Sequence, residues 1–331
     1  MNLQQRINLL TDIGQYILSK NPLWIEAKEN ASYHNGWFTP EFTDLAVKNI
    51  ASKFLQADKL EKWIAHYHLD DNVKSQKIGV VMAGNIPLVG FHDFLCCFIC
   101  GHKQVIKLST KDEVLLKHLV EKMTEINEEI AELIKIAPQL KGCDAYIATG
   151  SDNSARYFEY YFSKYPAIIR KNRTSVAILD GSETPRDLEN LADDIHQYFG
   201  LGCRNVTKIF VPEKYDFVPF LEAMKKYHYF VDHHKYRNNY DYHLTIYIMN
   251  NLYYMTNDSI VLLENKNVFS PIGTLHYEFY ADKEHLHNTL AGNQHIQAIV
   301  GKEFNSFGQS QQPDLMDYAD GIDTIQFLLS I

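Results

Sequence analysis

The sequence predicts an α/β protein in which a mainly parallel sheet is followed by a second, smaller α/β domain. Short apolar runs alternate with helical patterns through the first two thirds of the chain, as in βαβ units. The chain has 331 residues, enough for two domains. Hydrophobic residues make up 46% and charged residues 22%, so a packed core is expected.

The first seventy residues are predicted to be helical. Leu3, Ile7 and Leu10 recur at helical spacing. Thr39-Pro40-Glu41 is typical of a helix start, because it offers a capping hydroxyl, a proline at the first helical position and an acid in the first turn.

Four strands, each followed by a helix, are predicted next. The strands cover residues 78–83, 104–108, 145–148 and 176–180, and the helices cover 88–100, 111–136, 151–162 and 184–199. From residue 208 the chain is rich in Tyr and His, with strand-like runs at 208–211, 244–249 and 260–263. We therefore predict a first domain over 1–199, a second over 200–303, and a segment, 304–331, that returns to the first domain or forms an oligomer contact.

Composition excludes several classes of protein. The net charge of −9, with acids and bases interspersed, argues against nucleic-acid binding. No apolar run approaches the roughly 20 residues that span a bilayer. The start, MNLQQRINLL, lacks the apolar stretch of a signal peptide, and the odd number of cysteines, five, argues against a disulfide scaffold. A cytoplasmic protein is expected.

One candidate nucleophile is Cys203, in the loop Gly202-Cys203-Arg204-Asn205 between a predicted helix and a predicted strand. A cysteine on such a loop can be exposed, and the neighbouring Arg204 would favour the reactive thiolate. The alternative is a buried structural thiol, which the segment alone slightly favours.

Three further segments are candidate binding loops. Asn85 follows a strand, where its amide could donate to an oxyanion, although an ordinary turn fits as well. Thr149-Gly150-Ser151 forms a strand-to-helix turn of the kind that holds phosphate, but one glycine is a weak signal. Lys107 ends a strand and could bind ribose hydroxyls, or it is a solvated surface lysine.

Two clusters are weaker candidates. Cys97 and Cys100 have C-x-x-C spacing, but they lie in an apolar run without a second pair, which favours a core helix over a redox or zinc site. Residues 228–243 contain four histidines and two aspartates without the spacing of a zinc-peptidase helix. A polar surface or interface is the better interpretation of the 228–254 region, and no metal is predicted.

Several of these segments occur together in a fixed order. They are Gly84-Asn85-Ile86-Pro87, Val105-Ile106-Lys107, Ala148-Thr149-Gly150-Ser151, Phe199-Gly200-Leu201-Gly202-Cys203 and Ser306-Phe307-Gly308-Gln309. In this order they resemble the aldehyde dehydrogenase superfamily, most closely its acyl-CoA reductase (LuxC-like) branch, which the segment Asn35–Pro40 also resembles. The resemblance implies an aldehyde-dehydrogenase-like fold, with a Rossmann-type cofactor domain and a smaller α/β catalytic domain that carries the thiol.

The resemblance also implies site residues. Cys203 would attack an acyl thioester, Asn85 would stabilise the oxyanion, and Lys107 would hold the adenine ribose. Thr149, Gly150 and Ser151 would lie along the cofactor phosphates. The product would be an aldehyde, released from an acyl-CoA or acyl-carrier substrate that is most simply a fatty acyl thioester.

The sequence departs from the superfamily pattern at three positions. Aldehyde oxidisers carry a water-activating glutamate near Ile169, yet no acidic residue lies between Lys164 and Asp180. The absence of that base suits an enzyme that must not hydrolyse its acyl-enzyme. Asn267 stands where a ribose-binding glutamate is expected, and Ala155 replaces the second glycine of the phosphate turn.

The expected cofactor is NADPH, with NADH as the alternative. The positions after Lys107 offer no carboxylate to bind a ribose 2′-hydroxyl, whereas Thr110 and Lys111 would accept a 2′-phosphate. Three rival functions stay open: a non-acylating aldehyde dehydrogenase with a base from elsewhere, a non-catalytic acyl-binding subunit of a reductase complex, and, less favoured, a metal-dependent hydrolase. Expected partners are an acyl-transferring protein and a second copy of the chain.

Overall fold

The computed structural model describes residues 1–331, apart from the side chain of residue 291. The chain forms two compact units. The first comprises Met1–Asn172 together with Pro313–Ile331, and the second comprises Arg173–Gln312.

The first unit contains a five-stranded sheet in the order β3-β2-β1-β4-β5, with every pairing parallel. Chain order runs outward from β1 in both directions, so the order reverses between β1 and β4, where α/β sheets commonly bind ligands. The strands are β1 (Lys77–Val81), β2 (Lys103–Lys107), β3 (Ile134–Ile136), β4 (Ala145–Thr149) and β5 (Ala167–Arg170).

Helices precede and connect these strands. Thr39 caps the third helix through its hydroxyl, which accepts a hydrogen bond from the backbone of Phe42 (3.4 Å), so the predicted helix start is confirmed. The helices are α1 (Leu3–Leu18), α2 (Pro22–His34), α3 (Pro40–Lys53), α4 (Ala57–His66), α5 (Phe91–Ile99), α6 (Val114–Ile126), α7 (Ile130–Leu133) and α8 (Asp152–Phe162).

The second unit contains a six-stranded sheet in the order β11-β6-β7-β10-β9-β8. Its pairings are parallel except that β8 runs antiparallel to β9. The strands are β6 (Thr174–Ile178), β7 (Val206–Pro212), β8 (Tyr254–Thr256), β9 (Val261–Glu264), β10 (Thr274–Tyr280) and β11 (Ile296–Val300). The helices are α9 (Pro185–His196), α10 (Phe217–Met224), α11 (His234–Met249) and α12 (Lys283–Ala291).

The last residues return to the first unit and end in α13 (Thr324–Leu329). Leu328 is fully buried in the first unit's core, and its carbonyl contacts the His102 ring at 3.1 Å. The Tyr318 hydroxyl accepts a hydrogen bond from the Trp63 indole at 2.9 Å. These contacts make residues 313–331 part of the first hydrophobic core.

The division into units differs from the predicted boundaries at 199/200 and 303/304. The predicted strand at 176–180 corresponds to β6 and pairs with β7 and β11 in the second sheet. The sequence does not predict the preceding strand, β5, because it is short and runs into the segment 170–173, which contains three basic residues. Both sheets are mainly parallel and contain buried strands, so a single apolar run gives no information on which sheet it joins.

Two further predictions of secondary structure are wrong. Residues 244–249, expected as a strand, form the end of α11, in which Tyr236, Tyr240 and Tyr247 are buried at helical spacing. The helix predicted over 111–136 is interrupted at Asn127, and its last three residues form β3 by pairing with β2. In both cases packing against distant residues outweighs local propensity.

None of the helices in the described residues has the length and apolar character needed to cross a bilayer.

Candidate functional site

The segments predicted to bind a cofactor follow three adjacent strands of the first sheet. Asn85 lies in the loop after β1, Lys107 is the last residue of β2, and Thr149 is the last residue of β4. Because β2, β1 and β4 are parallel neighbours, their carboxyl ends share one edge of the sheet. Gly150 and Ser151 continue from Thr149 at the same edge.

A buried carboxylate, Asp112, fixes the loop that carries Asn85. Its Oδ2 accepts a hydrogen bond from the backbone N–H of Leu88 at 2.8 Å, and the N–H of Val89 also contacts this carboxylate. Leu88 has a left-handed backbone (φ 55°), so the loop turns sharply just after Asn85. Burial raises the pKa of Asp112 to about 7, although the two backbone donors oppose this shift. Its Oδ1 is buried without a hydrogen-bond partner.

The loop after β2 exposes the side chains predicted to select the cofactor. Lys107, Thr110 and Lys111 are exposed. The loop itself is fixed, since the Asp112 backbone donates to the Ser109 carbonyl at 3.0 Å. The Lys111 carbonyl accepts a hydrogen bond from the Asn35 side chain at 3.2 Å, which ties this loop to the segment Asn35–Pro40.

The turn after β4 needs its single glycine. A Cβ on Gly150 would lie 2.9 Å from Ser154 Cβ and 3.0 Å from the Phe158 ring. Ser151 caps α8, because its hydroxyl accepts from the Ser154 backbone at 3.4 Å. Ala155, which replaces the expected second glycine, is fully buried. The turn therefore presents backbone donors of a helix start, as a phosphate site requires.

The end of β5 carries no acid. Ile169 is half-buried and pairs with Ala148, and Arg170 is buried with its guanidinium on Asp93 and on the Thr324 hydroxyl, the latter at 2.9 Å. Asp152 accepts a hydrogen bond from the Asn172 backbone at 3.1 Å. The two carboxylates that contact residues 170 and 172 thus have structural partners.

Cys203 lies in the second unit, directly before β7. It is half-buried, whereas the other four cysteines are buried. Its carbonyl accepts a hydrogen bond from the Ser175 hydroxyl at 3.2 Å, and Arg204 beside it is half-buried. The prediction that this loop leaves the thiol accessible is compatible with its partial exposure.

An unusual turn precedes Cys203. Tyr198, Phe199 and Gly200 all have left-handed backbones, with φ values of 54°, 57° and 74°. For residues with a side chain this conformation costs roughly 1–2 kcal/mol each, so the surrounding structure must stabilise it. Phe199 is buried against Phe230 and His233, with ring centroids 4.4 and 4.5 Å away.

A loop between β9 and β10 is bound to the strand that follows Cys203. Three consecutive carbonyls of this loop, those of Lys266, Asn267 and Val268, contact polar side chains of β7 and β10. The partners are Lys208 Nζ at 2.9 Å, His276 Nδ1 at 2.9 Å and Thr207 Oγ1 at 2.6 Å, respectively. Because a carbonyl only accepts, His276 carries its proton on Nδ1.

Asn267 occupies the position where the resemblance expects a glutamate. Its side-chain oxygen accepts a hydrogen bond from the backbone of Phe269 at 3.1 Å, within the same loop. Burial lowers the pKa of Lys208, which Glu278 partly opposes through an ion pair. The loop is thus fixed by its carbonyls and its own turn.

The segment Ser306-Phe307-Gly308-Gln309 contacts the helix before Cys203. The carboxylate of Asp194, in α9, accepts from the backbones of Gly308 and Ser310 at 2.7 and 3.0 Å and from the Ser310 hydroxyl at 2.7 Å. Burial raises the pKa of Asp194 to about 6.

The two weaker clusters behave as structural elements. Cys97 and Cys100 are buried in the first core, and burial raises both thiol pKa values, that of Cys100 to about 12. The core-helix interpretation of this pair is confirmed. Residues 228–243 belong to a short helical turn and to α11. Across the described residues no group of three or more histidine, cysteine or acidic side chains is arranged to hold a metal.

The sequence assigns no role to three buried polar residues near the Asn85 loop and the Cys203 loop, which are Asp112, Asn205 and Lys208. Lys208 gives a signal, since a lysine inside a buried apolar strand needs a partner. Asp112 is the first carboxylate after Lys107, but its burial depends on a loop 24 residues earlier. Asn205 was part of the cysteine loop without an assigned role, and it is fully buried.

Comparisons with known proteins extend this description. No protein-family model matches the sequence, and no curated protein matches it either. Solved structures do match. An aldehyde dehydrogenase from Bacillus cereus in complex with NAD+ superposes with a TM-score of 0.68 at 12% identity, over 91% of this chain and 72% of that chain.

Two other structures agree with it. Aldehyde dehydrogenase 21 from Physcomitrella patens, in complex with the product succinate, has a TM-score of 0.67 at 15% identity, over 91% of this chain and 74% of its own. A Mycobacterium tuberculosis aldehyde dehydrogenase complexed with NAD+ has a TM-score of 0.62 at 12% identity, over 91% and 73%. The chain therefore has the fold of the aldehyde dehydrogenases.

Proposed function

We propose that this protein is an acyl-CoA reductase of the LuxC-like type, which reduces an acyl thioester to an aldehyde with NADPH. The substrate would be an acyl-CoA or an acyl group on a carrier protein, most simply a fatty acyl thioester. The fold, the half-buried cysteine in the loop before β7 and the loops at the carboxyl edge of the first sheet all support an oxidoreductase of this class.

The observation that carries the proposal is the missing base. Aldehyde oxidisers need a carboxylate to activate the water that hydrolyses the acyl-enzyme, and Ile169 stands near its expected place at the end of β5. Asp93 is occupied by Arg170, and Asp152 by a backbone N–H. An acyl-enzyme that is not hydrolysed by water has time to be reduced to the aldehyde.

The reaction balances as acyl thioester, NADPH and a proton giving aldehyde, NADP+ and free thiol. Cys203, as thiolate, adds to the thioester carbonyl, and collapse of the tetrahedral intermediate expels the carrier thiolate, which takes up the proton. The bound nicotinamide would supply a hydride to the acyl carbon. The resulting thiohemiacetal on Cys203 collapses, which breaks the carbon–sulfur bond and releases the aldehyde.

Charge develops on the acyl oxygen at each addition, and the chain offers donors for it. In this proposal the Asn85 amide and the Cys203 backbone N–H donate to the oxyanion. Each donor lies in a fixed loop of its own unit, because Asp112 bonds the loop of Asn85 and the Ser175 hydroxyl bonds the Cys203 carbonyl.

The residues after β2 fit a phosphorylated nicotinamide cofactor. Lys107 would bind the adenine ribose, and Thr110 and Lys111 would accept its 2′-phosphate, since all three side chains are exposed. The first carboxylate after Lys107, that of Asp112, is buried and bonded to the Asn85 loop, so it is not available to a ribose 2′-hydroxyl. Thr149, Gly150 and Ser151 would follow the cofactor phosphates.

The test is NADPH oxidation, followed by absorbance, with a panel of acyl-CoAs from acetyl to palmitoyl and identification of the trapped aldehyde. Turnover with a chain-length optimum is expected. Carboxylate formed from aldehyde and NADP+ without added thiol would point instead to a non-acylating aldehyde dehydrogenase. NADPH binding without turnover on any donor would point to a subunit that requires an acyl-transferring partner, or a second copy of the chain.

Replacement of the nucleophile gives a sharper test. Cys203→Ala should abolish aldehyde formation and the acyl-enzyme detected by mass spectrometry, while NADPH binding persists, because the cofactor loops belong to the first unit. Cys143→Ala, at a buried cysteine of the first unit, is the matched control. Wild-type turnover in Cys203→Ala would contradict the assignment.

A further inference from the structure

The nucleophile loop contains an amide whose hydrogen-bonding groups all have partners. Asn205 is fully buried two residues after Cys203. Its Oδ1 accepts from the Gly202 backbone at 2.8 Å, and its Nδ2 donates to the carbonyls of Gln197 at 2.8 Å and of Asp194 and Ile195 at 3.1 and 3.3 Å. The side chain thus bonds to backbone on both sides of the left-handed turn.

The position of these bonds explains how an unfavourable turn persists. The carbonyls of residues 194, 195 and 197 lie at the end of α9, where no further helical N–H is available to them. Gly202 lies beyond the turn and directly before Cys203. Asn205 therefore closes the turn at its base, while the aromatic contacts of Phe199 hold its tip.

The geometry points to Asn205 as the positioning residue for Cys203. The amide holds residues 197–202 closed against the end of α9, and Ser175 fixes the Cys203 carbonyl from β6 (3.2 Å), so the thiol has one defined backbone position. This inference rests on the proposed role of Cys203 as nucleophile, but its main test does not require turnover.

Only an asparagine meets the demands of this site. The side chain must accept one N–H and donate to several carbonyls from a short stem. An aspartate has nearly the same shape but places a carboxylate against three carbonyl oxygens, and it has no N–H to donate. Asn205→Asp therefore breaks the closure with little change in volume.

The accessibility of Cys203 provides the readout. In native protein, iodoacetamide should modify Cys203 alone among the five cysteines, because the other four are buried. Loss of one net hydrogen bond should raise the population in which the Cys203 loop is open by about tenfold. At a pH where the thiol is ionised, the alkylation rate of Cys203 in Asn205→Asp should therefore be about tenfold higher than in wild type.

The catalytic readout should move the opposite way. If acyl-CoAs turn over, kcat in Asn205→Asp should fall about tenfold or more while KM changes little, since the misplaced group acts on the reacting carbonyl. Asn250→Asp is the matched control. Its amide donates to the Ile246 carbonyl (2.8 Å) at the exposed end of α11 in the same unit, and it should alkylate at the wild-type rate.

Folding is followed separately by hydrogen exchange of β7 and β10. If Asn205→Asp keeps native protection there and still alkylates within twofold of wild type, the inference is overturned. Should that variant not fold, Ser175→Ala removes the bond to the Cys203 carbonyl alone, and about a threefold acceleration is expected. An alkylation rate of Cys203 in Ser175→Ala equal to that of wild type would then overturn the inference. Changed alkylation without turnover in wild type would refute the proposed function and leave the positioning role intact.

Discussion

Replacing Asp112 by asparagine should flatten the pH dependence of stability of the first unit. Asp112 has 7% of its surface exposed, and burial raises its pKa to about 7, from 3.8 in the unfolded chain. The folded state therefore holds this proton more tightly than the unfolded state. Its contribution favours folding most at low pH and declines as the pH rises from about 4 to about 7.

The size of the effect follows from linkage. Each unit of pKa difference corresponds to about 1.4 kcal/mol, so the wild type should lose about 1 kcal/mol of unfolding free energy per pH unit in this range. The whole effect has an upper limit of about 4 kcal/mol. Asparagine does not titrate, so this component disappears in Asp112→Asn.

Urea unfolding followed by tryptophan fluorescence measures the relevant unit, because Trp24, Trp37 and Trp63 are the three tryptophans and all lie in it. The midpoint is compared between pH 5 and pH 7 for wild type and variant. Asp58→Asn, at a side chain with 69% of its surface exposed, serves as the control. Parallel pH profiles for wild type and Asp112→Asn would refute the reasoning.

Two further outcomes are expected. Arg170→Met should lower the unfolding free energy of the first unit by about 3–5 kcal/mol, because Asp93 is left buried and unpaired. Adding Asp93→Asn to this variant should restore part of the lost stability. In the same urea assay, a loss below about 1 kcal/mol for Arg170→Met would argue against a stabilising role of the ion pair. Lys111→Ala should raise KM for NADPH roughly tenfold and leave KM for NADH unchanged, as loss of one phosphate contact requires. Lys103→Ala, at the other end of β2, is its control, and equal changes for both cofactors would count against a 2′-phosphate contact.

Local patterns in the sequence are sufficient to predict many helices and strands of the first unit. The capping hydroxyl and proline at Thr39-Pro40 define a helix start on their own, and the structure has it there. The strands that end before Asn85, at Lys107 and at Thr149 were predicted from short apolar runs. Their parallel pairing then brings the three loops to one edge without any further information.

The remaining features depend on residues distant in the chain. β3 exists through its pairing with β2, and β5 through its pairing with β4. The burial of Asp112 depends on Leu88, and the three carbonyls bound by Asn205 become acceptors only once α9 ends. A polar residue in a loop reads as solvated until its partners are known, so no local pattern distinguishes Asn205 from an ordinary turn asparagine.

The return of residues 313–331 to the first unit has a consequence for synthesis. The second unit is continuous in the chain and is complete once Gln312 has emerged from the ribosome, whereas the first unit waits for α13. The second unit is therefore expected to fold first, although its residues are made later than most of the first unit. Limited proteolysis of released chains that end at Gln312 would test whether the second unit folds without the last segment. Until its last segment arrives, the nascent first unit exposes the core surface that Leu328 later covers.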